Sequence, residues 1–407
     1  MNEPTPVWLN ILFLLFLAVL PWSVAAMQVA AVLFAVGAIL HGLNKRRWPV
    51  RFHPFYYFMI MYFATQVMAA LFSPTPVLSF RAVLNNDWFL LIVPFILSLP
   101  LEERWKRRAV HTLLVSATLV ALYGIFQTFF GYEIFRGIRI PAYGHFYRAI
   151  GGYNFYLTFA GNQLLAFGMA LALLLSDQKP DSTWRWYLFA TILILFSILG
   201  SFARSAWLGV MGMVILGVWL LKRRYFWQTI GALVVAVALL VIIAPDFRSR
   251  LLSIFNPGAN QVRLNLWRTG WSMWKTHVLW GIGPGRFNEL FPLFKVPGVY
   301  DATGHTHNDY LNMAVNSGLA GFLAWLSMWI AWFYFTGKAA FSKALSAVDR
   351  QIVYGSLLAL TGMFIAAFFQ CYFTDLENNI FWWTIATLGL LAARGETYRS
   401  KSPHSEQ

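Results

Sequence analysis

A single cysteine, Cys371, and very little charge mark this 407-residue chain. One thiol has no partner within the chain, which excludes a disulfide-stapled secreted domain. Asp, Glu, Lys and Arg make up only 12% of the residues, against roughly 25% in an ordinary soluble domain. That deficit excludes a soluble globular enzyme, and the high apolar content excludes a disordered chain. Lys and Arg are missing altogether before Lys45. The first apolar run therefore lacks the basic start of a cleaved signal peptide and is expected to remain as a span.

Apolar bulk is what the chain has instead: 59% hydrophobic residues, including 37 Phe, 19 Trp and 17 Tyr. A helix needs ~20 apolar residues to cross ~30 Å of hydrocarbon. About twelve such runs occur, centred on 7–23, 24–43, 55–72, 86–101, 109–130, 155–176, 186–203, 206–221, 227–245, 311–335, 351–372 and 380–393. The expected fold class is an all-α polytopic membrane protein with about twelve transmembrane helices. Residues 1–245 would hold spans one to nine, 246–310 a large loop with amphipathic helices, 311–393 the last three spans, and 394–407 a tail. No span shows a clear central charge.

The net charge of +15 is first of all a topology signal. Twelve crossings put one set of connections on one side, and that set carries 19 of the 31 basic residues. It includes Lys45, Arg46, Arg47 and Arg51, then Arg104, Lys106, Arg107 and Arg108, then Lys179 and Arg185. It continues with Lys222, Arg223 and Arg224, then Lys338, Lys343 and Arg350, and ends with Arg394, Arg399 and Lys401. This side is expected to be cytoplasmic, with both termini, and nucleic acid drops out as a partner. The remaining 12 basic residues are ten Arg and two Lys, Lys275 and Lys295. Guanidinium forks pair two-point with phosphate oxygens. An Arg-biased outer face suits a phosphorylated or pyrophosphorylated lipid, with anchoring to membrane-lipid headgroups as the plain alternative.

Two outer segments are long, 131–154 and 246–310, and long structured loops tend to carry function. Within the second, Leu264, Trp267, Trp271 and Trp274 recur at helical spacing, opposite Asn265, Arg268, Ser272 and Lys275. This predicts a Trp-rich amphipathic helix at the outer membrane surface. Arg263, four residues before Trp267, falls on the packed side near the helix start, where cations are disfavoured. It needs an anion, either a structural carboxylate such as Asp301 or a substrate phosphate. Gly281-Ile282-Gly283-Pro284-Gly285 reads as a turn, either a loop corner or a close approach to a ligand.

The loop ends in Gly304-His305-Thr306-His307-Asn308-Asp309-Tyr310-Leu311. His307, Leu311 and Ala314 share one helical stripe, so His307 is expected to cap it at the membrane surface. An imidazole there suits a general base. A metal would want three or four converging ligands, and only His145 and His277 remain on that side; no metal or other cofactor is expected. Arg204, in the hairpin between the seventh and eighth spans, and Arg81, before the fourth, sit where hydrocarbon begins. Such charges are functional candidates or snorkel to the interface.

These residues resemble the O-antigen ligase and polymerase superfamily of bacterial inner-membrane glycosyltransferases. The resemblance rests on Gly200-Ser201-Phe202-Ala203-Arg204-Ser205-Ala206-Trp207, Val262-Arg263-Leu264-Asn265-Leu266-Trp267, Trp280 to Phe287, and His305 to Leu311, followed by Gly318 and Gly321. It covers about residues 145–325 by motif and the whole chain by span count. Asn316 stands where many members carry Glu, so no catalytic carboxylate is expected there. The resemblance implies a GT-C-like enzyme that moves a glycan from undecaprenyl pyrophosphate to a sugar hydroxyl at the periplasmic face. In a ligase the acceptor is the lipid A–core oligosaccharide; in a polymerase it is another lipid-linked repeat unit. Neither needs a nucleotide sugar, ATP or a metal. On this reading Arg263 and Arg204 stabilise the leaving pyrophosphate, with Arg81 and Arg148 in support. His307 takes the acceptor proton and His305 orients it or the acceptor; one-step displacement would invert the anomeric centre. Polymerase activity and flipping or transport of a lipid-linked glycan are the alternatives to ligation.

Overall fold

The computed structural model describes residues 5–46, 50–176, 181–300 and 304–394. Arg47, Lys179, Arg399 and Lys401 of the basic clusters, and Asp301, lie outside them. Sixteen α-helices are described. The amino-terminal part holds α1 (Val7–Val19), α2 (Val24–Asn44), α3 (Phe55–Leu71), α4 (Pro76–Asp87), α5 (Val93–Leu97) and α6 (Glu103–Phe130). Then come α7 (Tyr156–Ser176), α8 (Ser182–Gly200), α9 (Arg204–Leu221) and α10 (Phe226–Ile243). The long loop contributes α11 (Pro245–Leu252), α12 (Pro257–Thr276) and α13 (Phe287–Phe294), and the chain closes with α14 (Asp309–Ala340), α15 (Ala347–Ala366) and α16 (Leu376–Ala393).

The protein is a polytopic membrane protein. Eight segments among the described residues are long and apolar enough to cross a bilayer on their own, with α1 and α3 as shorter apolar helices. The expected eleventh and twelfth spans exist as α15 and α16 but fall outside those eight. Their first turns are polar, with Asp349 and Arg350 in one and Glu377, Asn378 and Asn379 in the other. These groups find partners: Lys106 Nζ lies 2.5 Å from Asp349 Oδ1, and Asn378 Nδ2 donates to Asn162 Oδ1 at 2.8 Å.

Among the described residues the architecture departs from all-α in one place. Segment 132–147 forms two antiparallel two-stranded hairpins, β1 (Tyr132–Glu133) with β2 (Ile138–Arg139) and β3 (Ala142–Tyr143) with β4 (Phe146–Tyr147). Gly137 and Gly144, both at positive φ, make the turns. The fourth span also differs. It starts at Pro76, ten residues earlier than hydropathy alone indicates, because proline is well placed at the first helical position. It runs on to Leu97. Asp87 is thereby moved from the edge of the span to its middle, buried, accepting from Tyr62 Oη at 3.1 Å. The expectation of spans without an internal charge is corrected by this residue.

At the centre stands α7, most of it enclosed by α8, α9, α15 and α16. Close approach there needs glycine: a Cβ on Gly168 would strike the backbone of Ala359. Beside it Trp325, Trp329, Trp332, Trp382 and Trp383 pack into a buried aromatic cluster. By contrast α10 buries no residue, as suits a helix at the bundle rim.

The two ends of the bundle differ. At one, Arg394 donates to the carbonyls of Leu97 (2.6 Å) and Phe52 (3.0 Å), and Lys106 meets Asp349, so several basic connections gather there. At the other lie the hairpins, α11 to α13, and the segments preceding α14 and α16. His145 donates its backbone N–H to Asp246 Oδ2 at 2.8 Å, tying a hairpin to α11 and holding that carboxyl below its usual range. All the candidate site residues belong to this second end.

Candidate active site

The hairpin before α9 turns through Phe202, whose φ of 55° is rare for a bulky side chain. Immediately after it Arg204 begins α9, 7% exposed. Its guanidinium donates to Ser253 Oγ (2.9 Å) and Asn260 Oδ1 (3.0 Å), while Nε is buried with no hydrogen-bond partner. These bonds pin α11 and the start of α12 over the hairpin. Arg263, two turns into α12, lines the same cavity of about 300 Å³. The other walls are mostly apolar, including Leu208, Ile254, Phe255, Trp267 and Phe369.

Two further guanidiniums join them. Arg148 lies over the rings of Tyr143 (4.1 Å) and Tyr156 (4.7 Å), and Arg250 lies 5.5 Å from the same Tyr143 ring. Arg204 feels the charges of both Arg250 and Arg263. Among the described residues no carboxylate pairs with Arg148, Arg204 or Arg250. A concentration of cations beside apolar walls favours an anionic group with a greasy tail. Arg250 was not singled out in the sequence, where Arg248-Ser249-Arg250 looks like an exposed polar turn. Arg81 is exposed on α4 and lines neither this cavity nor the one described below.

The Trp-rich helix forms as expected but packs on a different face. Val262, Leu266 and Met273 belong to its apolar core contacts, with Asn265 and Thr269 also buried. Leu264 and Trp271 are exposed. The expected stripe is therefore split: Leu264 and Trp271 face outward, half-buried Trp274 packs against this core, and half-buried Arg263 sits beside Trp267 at the cavity.

His307 does not sit on the stripe of the following helix. Asn308 caps α14, accepting from Leu311 N–H at 3.0 Å, and His307 precedes that cap in the left-handed region at φ 52°. This conformation turns the buried imidazole toward the segment between α15 and α16, where its Nδ1 lies 2.5 Å from Gln370 Oε1. An amide oxygen only accepts, so Nδ1 carries a proton in this arrangement, and in the neutral ring Nε2 then holds the lone pair. The His307 N–H donates to His305 Nδ1 at 3.2 Å, and the two rings meet edge-on at 4.6 Å. Asp309 clamps the arrangement: its Oδ2 accepts from the backbone N–H groups of Tyr372 (2.8 Å) and Phe373 (2.9 Å). Tyr372 also bonds Ser205 Oγ at 2.8 Å, and burial pushes its phenol well above the ordinary range.

The His307–Gln370 pair thus adjoins Phe369 of the arginine-lined cavity, while His305 lines a second cavity of about 140 Å³. Arg204 and Arg263 come together directly; His305 and His307 come together a short step away, across the 369–374 segment. Gln370 was not foreseen, because a glutamine 63 residues after the histidine carries no local pattern.

The glycine-rich turn serves α14 itself. At Gly318 (φ 65°, ψ −168°) that helix breaks. Ile282 and Gly283 donate to the carbonyls of Val315 and Asn316 at 2.9 and 3.0 Å, and Leu319 and Ala320 donate to Val278 and Leu279 at 2.8 and 3.2 Å. Irregular backbone inside a span is tolerated only where such bonds restore its partners.

Fold and site together define a multi-pass helical membrane protein with an arginine cluster and a paired-histidine loop at one end. Residues 189–326 match the model of a family described as O-antigen ligase. A comparison with curated proteins finds no match to this chain.

Proposed function

We propose that the protein is an O-antigen ligase, which transfers a glycan from an undecaprenyl pyrophosphate carrier to a hydroxyl of a lipid A–core acceptor on the periplasmic side of the bacterial inner membrane. One observation carries this reading: Arg204 and Arg263 stand together at an otherwise mostly apolar cavity, a fit for pyrophosphate on a polyprenyl tail. Arg148 and Arg250 extend the positive field. The sorting of basic residues supports the outward orientation.

In the reaction the acceptor oxygen attacks the anomeric carbon while the bond from that carbon to the pyrophosphate oxygen breaks. His307 Nε2 takes the hydroxyl proton, and Gln370 holds its ring in the required tautomer. The leaving oxygen gains negative charge as the bond parts, and fixed guanidinium donors in a poorly hydrated site favour that state. A single displacement inverts the anomeric centre. Arg81, exposed and apart, serves at the lipid headgroups instead.

Asp87 gives the transport alternative one observation, since transporters place ionisable groups inside spans. The deciding experiment uses purified protein in detergent, with no gradient, and a lipid-pyrophosphate glycan as donor. Appearance of glycan on a lipid A–core acceptor supports ligation. Growth of lipid-linked chains would indicate polymerisation, and an unchanged donor would refute transfer.

A further inference from the structure

The second cavity lies between α3, α4 and α14, beneath the histidine loop. Polar groups reach it from separate parts of the chain: Gln66 from α3, Asn86 and Asp87 from α4, Asn312 and Asn316 from α14, and His305 from the loop. Three of their atoms are buried without a hydrogen-bond partner, namely Gln66 Nε2, Asn312 Oδ1 and Asn316 Oδ1. Gln66 is only 4% exposed and Asn312 2%. Buried polar atoms left unpaired are expensive, so such a set signals a ligand or water that satisfies them.

The chemistry of the lining narrows the ligand. Among the described residues no Lys or Arg faces the cavity, which disfavours phosphate, and Asp87 is the one carboxylate among them, too few for a metal. An apolar ligand would leave the amides unpaired. The orphan atoms are one donor and two acceptors, a mixture that hydroxyl groups satisfy because each can give and take a hydrogen bond. Phe287 and Phe373 add ring surface for a C–H face. At about 140 Å³ the cavity has the volume of roughly five waters, room for part of one sugar ring and not for an oligosaccharide.

We propose that this cavity is the subsite for the accepting sugar, binding a neutral pyranose through Gln66, Asn312 and Asn316. His305 lines it, and the edge-on contact of His305 with His307 places the cavity beside the base. The assignment to the acceptor rests on the transfer reading above; saccharide binding itself does not.

The test uses the full chain in detergent, with Asn316→Leu as the main variant and Asn86→Ala as a milder one on a different helix. In transfer kinetics Asn316→Leu raises the acceptor KM about tenfold or more, the loss expected for removing one buried hydrogen-bonding group from a sugar site, and Asn86→Ala, at a position that lines the cavity, raises it by a smaller factor. The donor KM stays within about twofold by the same reasoning. Saturation-transfer NMR with methyl glucoside, methyl galactoside and methyl N-acetylglucosaminide gives a second reading. The wild-type protein shows ligand signal that persists in excess inorganic pyrophosphate; Asn316→Leu loses it and Asn86→Ala weakens it. Unchanged variants, a rise in the donor KM alone, or displacement of the glycoside by pyrophosphate would overturn the proposal. Glycoside binding lost in the variants, together with no transfer from any lipid donor, would leave the saccharide site standing and refute the ligase reading instead.

Discussion

Replacing Arg204 by lysine separates charge from geometry. In the native protein two guanidinium nitrogens are committed to Ser253 and Asn260, at 2.9 and 3.0 Å, while Nε remains buried and unpartnered. A lysine retains the positive charge and three N–H donors, but these radiate from one nitrogen instead of three separately placed ones, so serving Ser253, Asn260 and the ligand together is expected to cost at least one bond. The loss is then one charge-assisted hydrogen bond, about 1.5–3 kcal/mol. If the whole of it appears in the transition state, kcat/KM falls about 10- to 150-fold, at 1.36 kcal/mol per decade. The assay is transfer by purified protein from a lipid-pyrophosphate glycan, with thermal unfolding measured alongside. Asn260→Ala provides the control, since it loosens the same guanidinium without removing it and is expected to fall in between. A lysine variant within threefold of wild type would refute the reasoning, because charge alone would then suffice.

His307→Ala should abolish transfer while leaving expression and the unfolding temperature nearly intact; retained activity would remove the base assignment. Gln370→Leu leaves the imidazole in place but frees its tautomer, so kcat should fall about tenfold or more with little change in donor binding. Gly318→Ala should destabilise the fold by about 2–4 kcal/mol, since its backbone region is essentially open to glycine alone. The added Cβ would also meet the backbone of Leu279 and Trp280. Gly337→Ala on the same helix, with nothing nearby, should be neutral or stabilising, and thermal unfolding in detergent reads both. Transfer should persist in EDTA; a strict need for a divalent ion would revive a metal role for His305 and His307.

Much of this was legible in the chain because hydropathy and helical length act locally. The positions of the apolar helices follow from runs of side chains that must leave water, and the prominence of Arg204, Arg263 and His307 follows from what an isolated charge or imidazole needs near hydrocarbon. Failures came where a single backbone feature overrode a pattern. Pro76 started the fourth span early and moved Asp87 from its edge to its middle. The left-handed turn at His307 took that ring off the helix stripe. On α12 the core accepted Leu266 and Met273 and left Trp271 outside, because hydrophobic periodicity does not say which apolar face meets protein and which meets lipid. Gln370, Arg250 and the amides of the second cavity are joined to the site only by long-range packing, which no local signal carries.

A donor-bound structure of the protein in detergent or nanodiscs tests the central claim most directly. Pyrophosphate oxygens should lie within hydrogen-bonding distance of Arg204 and Arg263, with the polyprenyl chain along Leu208 and Trp267 and the first sugar turned toward His307. Density for the diphosphate at the opposite end of the bundle, or far from both arginines, would contradict the account.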